Sequence, residues 1–451
     1  VRPEELTVQI WTHDKELQEY DQFWKGAHSI PMRFTGESDG EANAYFFEGE
    51  IPERPGQYDF TVRAAHRSPE EKWMWDWHWA GKNARVKSQS PLWDSETPEA
   101  LLVRAGRTFV HYLADGTPEI WAAAPPSKWF HEQWGRDAFI ALPGLLLTTG
   151  RFEEAKKLMR FFAQYEVGGL IPNKIWDPVR ASSEEARRLV KEKKDILRWN
   201  EDFAATLQGG TGPDSLRDEM KRGRDRLAEI EKQFSHHGLD YNNADASMWF
   251  LHAVKKYMEA RPEDTAFLEE MLPVMRNIVH YYSRPKEETA AKYYYRDQYH
   301  EVYMDQDFLI VTPPQATWMD AHPVGKDPVT PRNGKAVDIN ALFYGALKFL
   351  ERAEGKVAAG DRARASRYRD LAQKVRDSFN ARFWNAAHEQ DKGLTPLFDV
   401  VDGDPHGGAL RPNMLVAVSH GEDLLARDRQ KAVVESATKY LLTPYGLRTL
   451  A

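Results

Sequence analysis

A mainly helical chain, an α/α toroid following a small β-rich domain, is what these 451 residues predict. Three observations carry the prediction. Apolar residues recur at helical spacing in a succession of segments from Ala138 onward. The helices are joined by loops of uneven length that hold aromatics, unlike the short connections of a tight bundle. Before them, residues 1–90 alternate with period two between turn signals, the pattern of short strands in a β-sandwich.

In chain order, Leu6–Trp11, Ala44–Phe47 and the alternating Tyr58, Phe60 and Val62 read as strands, with Pro55-Gly56 as a turn. Trp73-Met-Trp-Asp-Trp-His-Trp79 sets four tryptophans on one strand face, as the core or seam of a sandwich, with a sugar-stacking platform as the functional alternative. Residues 91–129 read as a linker and strand-rich connection, and 130–451 as the helical domain. Helices are expected at Ala138–Leu147, Phe152–Tyr165, Asp245–Tyr257, Thr265–Tyr282, Lys335–Ala353, Asp361–Phe379, Pro412–His420 and Leu424–Leu441. Residues 182–233 are dense in Glu, Lys and Arg, with helical pieces at Ser183–Leu197 and Ser215–Gln233 around Gly209-Gly-Thr-Gly-Pro213. They read as a solvated hairpin inserted in a loop, with a lid or docking arm as the functional alternative.

Composition narrows the function. A net charge of −8 argues against a nucleic-acid surface, which needs clustered cations. A hydrophobic fraction of 41% and a mean hydropathy of −0.66 fit a soluble protein with no membrane partner, and no apolar run approaches the roughly 18 residues of a membrane span. Zero cysteines excludes disulfides and thiolate zinc sites and suits a reducing cytoplasm. His236-His237 could bind a metal but lacks further spaced ligands, so the pair reads as a solvated turn and no metal site is expected. Fifteen tryptophans, many in polar loop contexts, fit a carbohydrate binder, because a ring face covers the apolar face of a sugar.

Three acids stand beside an aromatic where a loop meets a helix. These are Asp137 in Trp134-Gly-Arg-Asp, Asp245 in Tyr241-Asn-Asn-Ala-Asp, and Asp320 in Thr317-Trp-Met-Asp. An Arg next to an Asp, as in Arg136-Asp137, can hydrogen-bond vicinal sugar hydroxyls, and a carboxyl can protonate a leaving glycosidic oxygen. Each acid also fits a helix or turn cap, and Trp318 fits a core anchor. The recurrence with tryptophan favours a site.

Six blocks in one order resemble the amylo-α-1,6-glucosidase family of glycogen debranching enzymes. They are Trp134-Gly-Arg-Asp-Ala-Phe-Ile-Ala-Leu-Pro-Gly, Tyr241-Asn-Asn-Ala-Asp-Ala-Ser-Met-Trp-Phe, Thr317-Trp-Met-Asp, Pro331-Arg-Asn-Gly-Lys-Ala-Val-Asp-Ile-Asn-Ala-Leu, Arg411-Pro-Asn and Thr443-Pro-Tyr-Gly-Leu-Arg-Thr-Leu. The resemblance implies an (α/α)6 toroid that removes single glucose residues from α-1,6 stubs of glycogen or maltodextrin with inversion and without a cofactor. It implies that Asp320 is the general acid, that Arg136, Asp137 and Asp245 clamp hydroxyls, and that Trp318 stacks on the ring. Trp134, Lys335, Asp338, Arg411 and Asn413 match positions at or near the pocket.

Asp338 stands where the family more often has Glu, and Met414 where Gln is usual. The family's general base is a Glu in a block C-terminal to Gly446-Leu-Arg-Thr-Leu450, so the resemblance places it past Ala451. Asp305, Asp307 and Glu301 are the substitutes within the chain. The helices fall short of a full toroid and the chain opens on Val1 rather than Met, as a piece of a longer polypeptide would. An α-1,4-acting glucoamylase-like hydrolase and a non-catalytic glucan-binding protein are the alternatives.

Overall fold

In the computed structural model the described residues are 7–11, 29–39, 44–48, 58–67, 73–77, 84–86, 98–113, 116–122, 132–207, 214–286, 291–295, 298–322, 328–358, 360–391 and 393–451. The chain divides into two compact units, Val1–His131 and Glu132–Ala451.

In the first unit, β1 (Thr7–Trp11), β2 (Ser29–Asp39), β3 (Ala44–Glu48), β4 (Tyr58–Arg67), β5 (Trp73–Trp77) and β6 (Ala84–Val86) form one antiparallel sheet in the order β3-β2-β1-β4-β5. β6 pairs with the start of β4, Tyr58 against Val86. The described strands make a single sheet, and a second sandwich layer is not among the described residues. The Trp73–Trp77 run is a strand, as its alternation predicts, while His78, Trp79, Pro55 and Gly56 lie outside the described residues. One expectation is corrected. The 91–129 connection contains a helix, α1 (Pro98–Arg107), ahead of the two-stranded β7 (Val110–Tyr112) and β8 (Pro118–Ile120). Leu101, Leu102 and Val103 run without alternation from a Pro at the first helical position, so helical propensity wins there over the linker reading.

The second unit begins with β9 (Gln133–Trp134) and α2 (Gly135–Leu142), whose last turn widens to a π-helix at Pro143–Leu147. Pro143 has no N–H for the α-helical ladder, which accounts for the break inside the expected Ala138–Leu147 helix. Then come α3 (Phe152–Ala163), β10 (Lys174–Ile175), α4 (Pro178–Ala181), α5 (Glu184–Leu207), α6 (Asp214–His236), β11 (Leu239–Asp240), α7 (Asp245–Ala260) and α8 (Thr265–Tyr282). The helix at Thr265–Tyr282 has the expected bounds. It opens on the Asp264 side chain, which accepts from Phe267 N at 3.2 Å. The insertion is a pair of long helices, and the expected Gly209–Pro213 hinge lies outside the described residues.

An antiparallel ribbon follows that helical periodicity does not predict: β12 (Ala291–Tyr295), β13 (Gln298–Met304) and β14 (Ile310–Val311). After it come β15 (Lys335–Ala336), α9 (Val337–Ala353), α10 (Arg362–Arg382), β16 (Val400–Val401), α11 (Leu415–Ser419), α12 (Arg427–Tyr440), β17 (Leu442–Thr443) and β18 (Gly446–Leu447). The expected Pro412–His420 helix is a 3-10 turn at Pro412–Met414 running into the short α11.

Packing follows one scheme. α2 packs on α7, α7 on α9 and α9 on α11, while α3, α8, α10 and α12 accompany them. α9 is apolar almost all round, with Val337, Ile339, Leu342, Phe343, Leu347 and Leu350 buried, as a helix enclosed on every side must be. Among the described residues no helix is long and apolar enough to cross a membrane.

Candidate active site

The site residues stand at the N-terminal ends of the helices that pack in series. There unpaired backbone N–H groups and the helix dipole favour negative charge and hydrogen-bond acceptors. Gly135 starts α2 and donates its N–H to Asn173 O at 2.6 Å. A Cβ at this position would lie 2.6 Å from Pro172 O, so only glycine lets the helix start so close to the 172–173 backbone. The next residue, Arg136, is thereby directed inward and is 7% exposed. Its Nε donates to Asp245 Oδ2 at 2.6 Å and its Nη1 to Asp320 Oδ2 at 3.0 Å. One guanidinium therefore joins the start of α2, the start of α7 and the loop carrying Asp320.

None of the acids is a helix cap. Asp245 is the first residue of α7, and it is Asn243 Oδ1 that accepts from Ala246 N at 3.2 Å. Asp137 lies in the first turn of α2 with no side-chain cap, half-buried beside Arg136. Trp134 carries the Lys174 ammonium over its ring at 4.9 Å.

A second buried guanidinium organises the loop side. Arg332 is 1% exposed and sits at φ 48°, in the left-handed region. Its Nη2 and Nη1 donate to Asp338 at 2.8 and 3.2 Å, and its Nε and Nη2 to Asp399 at 2.8 and 2.9 Å. Nη1 also reaches Thr317 Oγ1 at 2.9 Å, immediately before Trp318. Asp399 accepts from Asn413 Nδ2 at 2.7 Å and has Arg411 Nε at 3.6 Å. Asn413 Oδ1 accepts from Trp318 Nε1 at 2.8 Å, leaving the indole 40% exposed at the surface of the site. Gln315, also at positive φ, donates to the Asp320 carbonyl at 3.0 Å. Such backbone strain persists only where surrounding contacts over-determine it.

Ten sequence-predicted residues thus fall into three groups. Arg136, Asp137, Asp245 and Asp320 form one cluster, with Trp134 at its edge. Trp318, Asp338, Arg411 and Asn413 are tied together through Arg332 and Asp399. Lys335 belongs to neither. Its Nζ is 2% exposed with its side chain and donates to Asp307 at 2.7 Å, Asp402 at 2.7 Å and Asp305 at 2.9 Å. Arg382 also binds Asp402. This carboxylate trio has the spacing of a cation site, and the Lys335 ammonium already stands among its oxygens. Asp305 and Asp307 are engaged there, and Glu301 pairs with Lys292 at 2.6 Å, so each substitute base is held in an ion pair.

Burial and charge set the protonation of the cluster. Desolvation pushes the Asp245 carboxyl up to about 6, against the pull of Arg136 and with a push from the charges of Asp338 and Asp320. Asp137 is raised by burial, opposed by Arg136 and its own backbone N–H, and raised a little further by Asp320. Asp399 is raised by burial against the pull of Arg332.

Buried polar atoms are nearly always hydrogen-bonded, so exceptions ask for a ligand or water. Among the described residues the buried atoms without a partner include Arg136 Nη2, Asp245 Oδ1, both amide atoms of Gln133, Asn243 Nδ2 and His322 Nδ1. Four of these five residues lie at or beside the starts of α2 and α7. Donors and acceptors are mixed, which suits hydroxyl groups, since each hydroxyl both gives and accepts a hydrogen bond.

The profile of the family described as amylo-alpha-1,6-glucosidase matches residues 104–188 and 232–451. The glycogen debranching enzyme of Saccharomyces cerevisiae is 26% identical over 383 residues, covering 70% of this chain and 21% of that protein. A periplasmic trehalase of Salmonella paratyphi C is 32% identical over 134 residues, covering 29% of this chain and 21% of the trehalase. The chain thus spans about a fifth of the length of these relatives. Among solved structures, a rhamnosidase from Klebsiella oxytoca aligns with a TM-score of 0.41 at 10% identity, over 96% of this chain and 66% of that one. The relatives are glycoside hydrolases. The chain belongs to the amylo-alpha-1,6-glucosidase family.

Arg332, Asp399 and Thr317 are the organising residues that sequence reasoning did not single out. A signal was present for Asp399, a lone acid in the apolar run Leu397-Phe-Asp-Val-Val401, which is costly to bury without a cationic partner. Its removal by Asp399→Ala strands half of the Arg332 guanidinium and frees Asn413. The expected cost is about 3–5 kcal/mol in chemical denaturation.

The pH dependence has a definite sign. The folded state holds Asp245 at about 6, above its ordinary value near 3.8, so its stabilising contribution is full below about pH 4 and is lost as pH rises through 6. Relative to Asp245→Asn, the parent should lose about 2 kcal/mol between pH 4 and pH 7.5 in denaturant titrations.

Proposed function

We propose that this chain carries the glucose-releasing site of an α-1,6-acting glycoside hydrolase that inverts configuration at the anomeric carbon. The observation that carries the reading is the Arg136 guanidinium. It binds Asp245 and Asp320 while Arg136 Nη2 and Asp245 Oδ1 remain unpartnered among the described residues. A terminal glucose would supply both partners, with one hydroxyl accepting from Arg136 and another donating to Asp245. Asp320, half-exposed on the loop, is positioned to give its proton to the glycosidic oxygen. Trp318, braced by Asn413, offers its face to the sugar ring. An inverting reaction requires in addition a base roughly 6.5–9.5 Å from the acid, with room for the attacking water. Lys335 then acts at a distance, anchoring the acidic trio below the start of α9.

The toroid belongs to the same proposal. The pairs α2/α3, α7/α8, α9/α10 and α11/α12 follow one another, and the first helix of each pair packs on the first of the next. This is an arc of an α/α ring with the site at the N-terminal mouth of its inner helices. A two-layered β-sandwich at residues 1–90 and a cytoplasmic location complete the reading.

The test is release of glucose from a maltooligosaccharide bearing one α-1,6-linked glucose stub, beside trehalose and a linear maltooligosaccharide. Glucose from the branched substrate alone is the expected result, and Asp320→Asn should reduce it at least about 100-fold, the scale of general acid catalysis. Release from trehalose or from the linear chain, with the stub untouched, would overturn the linkage assignment.

A further inference from the structure

The inserted helices α5 and α6 line an open groove of about 710 Å³, within the roughly 300–1,000 Å³ of small-molecule sites. Apart from Arg188, its lining residues lie between the two segments that match the family profile, so the family match assigns them nothing. Ile196 and the half-buried Trp199 line it from α5, and Glu219, Arg222 and Gly223 from α6. Gly223 puts no side chain into the groove from α6. A Cβ there would lie 3.6 Å from Ile196 Cγ2 and 3.6 Å from Asn200 Oδ1. Asn200 is 7% exposed, and its Oδ1 has no hydrogen-bond partner among the described residues.

The charges indicate what kind of ligand fits. Arg226 is spent on Glu192, at 2.6 and 2.9 Å, and Lys191 pairs with Asp195 at 3.1 Å. Cations and acids are interleaved, so the groove has no field of one sign to attract a polyanion or a polycation. What it presents is the Trp199 side chain among the polar donors and acceptors of Glu219 and Arg222. That set matches a neutral polyol with an apolar face.

We propose that this groove is an accessory binding site for an α-glucan strand, separate from the Arg136 cluster. The inference rests on the glucan reading above. Its location agrees with that role. α6 runs into β11, and β11 pairs with β10, which pairs with β9, so the hairpin is rooted in the small sheet that carries Trp134. A strand held on the hairpin would be tethered near the mouth where its branch stub is cleaved, which raises the local concentration of stubs.

The test compares glycogen binding, by affinity electrophoresis, with turnover of the short branched oligosaccharide. The parent is measured beside Trp199→Ala, which removes the stacking face, and Gly223→Gln, which fills the groove from a helix surface. Both variants should weaken glycogen binding at least about tenfold, the scale of one lost stacking contact. Their thermal midpoints and short-substrate turnover should stay near the parent's. Equal glycogen binding in parent and variants would overturn the groove. Release of glucose from the short substrate by a parent that does not bind glycogen would overturn the groove and leave the active-site reading standing. Loss of binding in the variants of a parent that releases no glucose would do the reverse.

Discussion

A guanidinium with almost no access to water must find acceptors inside the protein, and in this chain Arg332 finds five within 3.2 Å on Thr317, Asp338 and Asp399. That requirement draws the loop before Trp318, the start of α9 and the strand-like segment at Asp399 to one point. Removing Asp338 or Asp399 alone strands half of the guanidinium's buried donors, so the three segments are held as a unit. The rest of the site hangs from it. Asn413 passes the constraint from Asp399 to the Trp318 indole, and Asp320 lies two residues further along the same loop. Arg136 then closes the arrangement from the opposite side by binding Asp320 and Asp245 together. Two buried cations, each bridging two acids, fix one loop between three helix starts.

This arrangement separates rigid from adaptable parts. Arg332, Asp338, Asp399 and Asn413 are buried and mutually satisfied, so they position other groups. Arg136, Asp245 and Gln133 are buried with atoms left over, and Trp318 and Asp320 remain accessible. Saturated interior and unsaturated rim are what a site for a hydroxyl-rich ligand requires, because unfilled donors and acceptors become favourable only when the ligand supplies partners. The placement at helix N-termini adds to this, since the dipoles offset the repulsion among Asp137, Asp245, Asp320 and Asp338.

Much of the scaffold is legible in the residues. The 3.6-residue period of Thr265–Tyr282 and the alternation of Tyr58–Arg67 fix those elements because one face of each is apolar and the other is not. The acids beside tryptophans at loop–helix junctions are legible too, and the structure does bring Asp137, Asp245 and Asp320 to one guanidinium. What sequence does not show is long-range pairing. Asp399 is 67 residues from Arg332, and no local pattern links them. The ribbon at Ala291–Met304 escaped because its tyrosines are amphipathic and fall on both faces, which blurs period two. Lys335 carries a family motif position yet serves the Asp305, Asp307 and Asp402 trio, because motif matching assigns a place in the chain and not a direction for the side chain.

The central claim is that the unpartnered atoms of the Arg136–Asp245 pair are a sugar subsite. A crystal structure of the Asp320→Asn protein with the branched oligosaccharide tests it most directly. The account predicts the terminal glucose with its hydroxyls on Arg136 Nη2 and Asp245 Oδ1 and its ring against Trp318. An occupied complex in which those two atoms still lack a partner, with the sugar bound elsewhere, would contradict it.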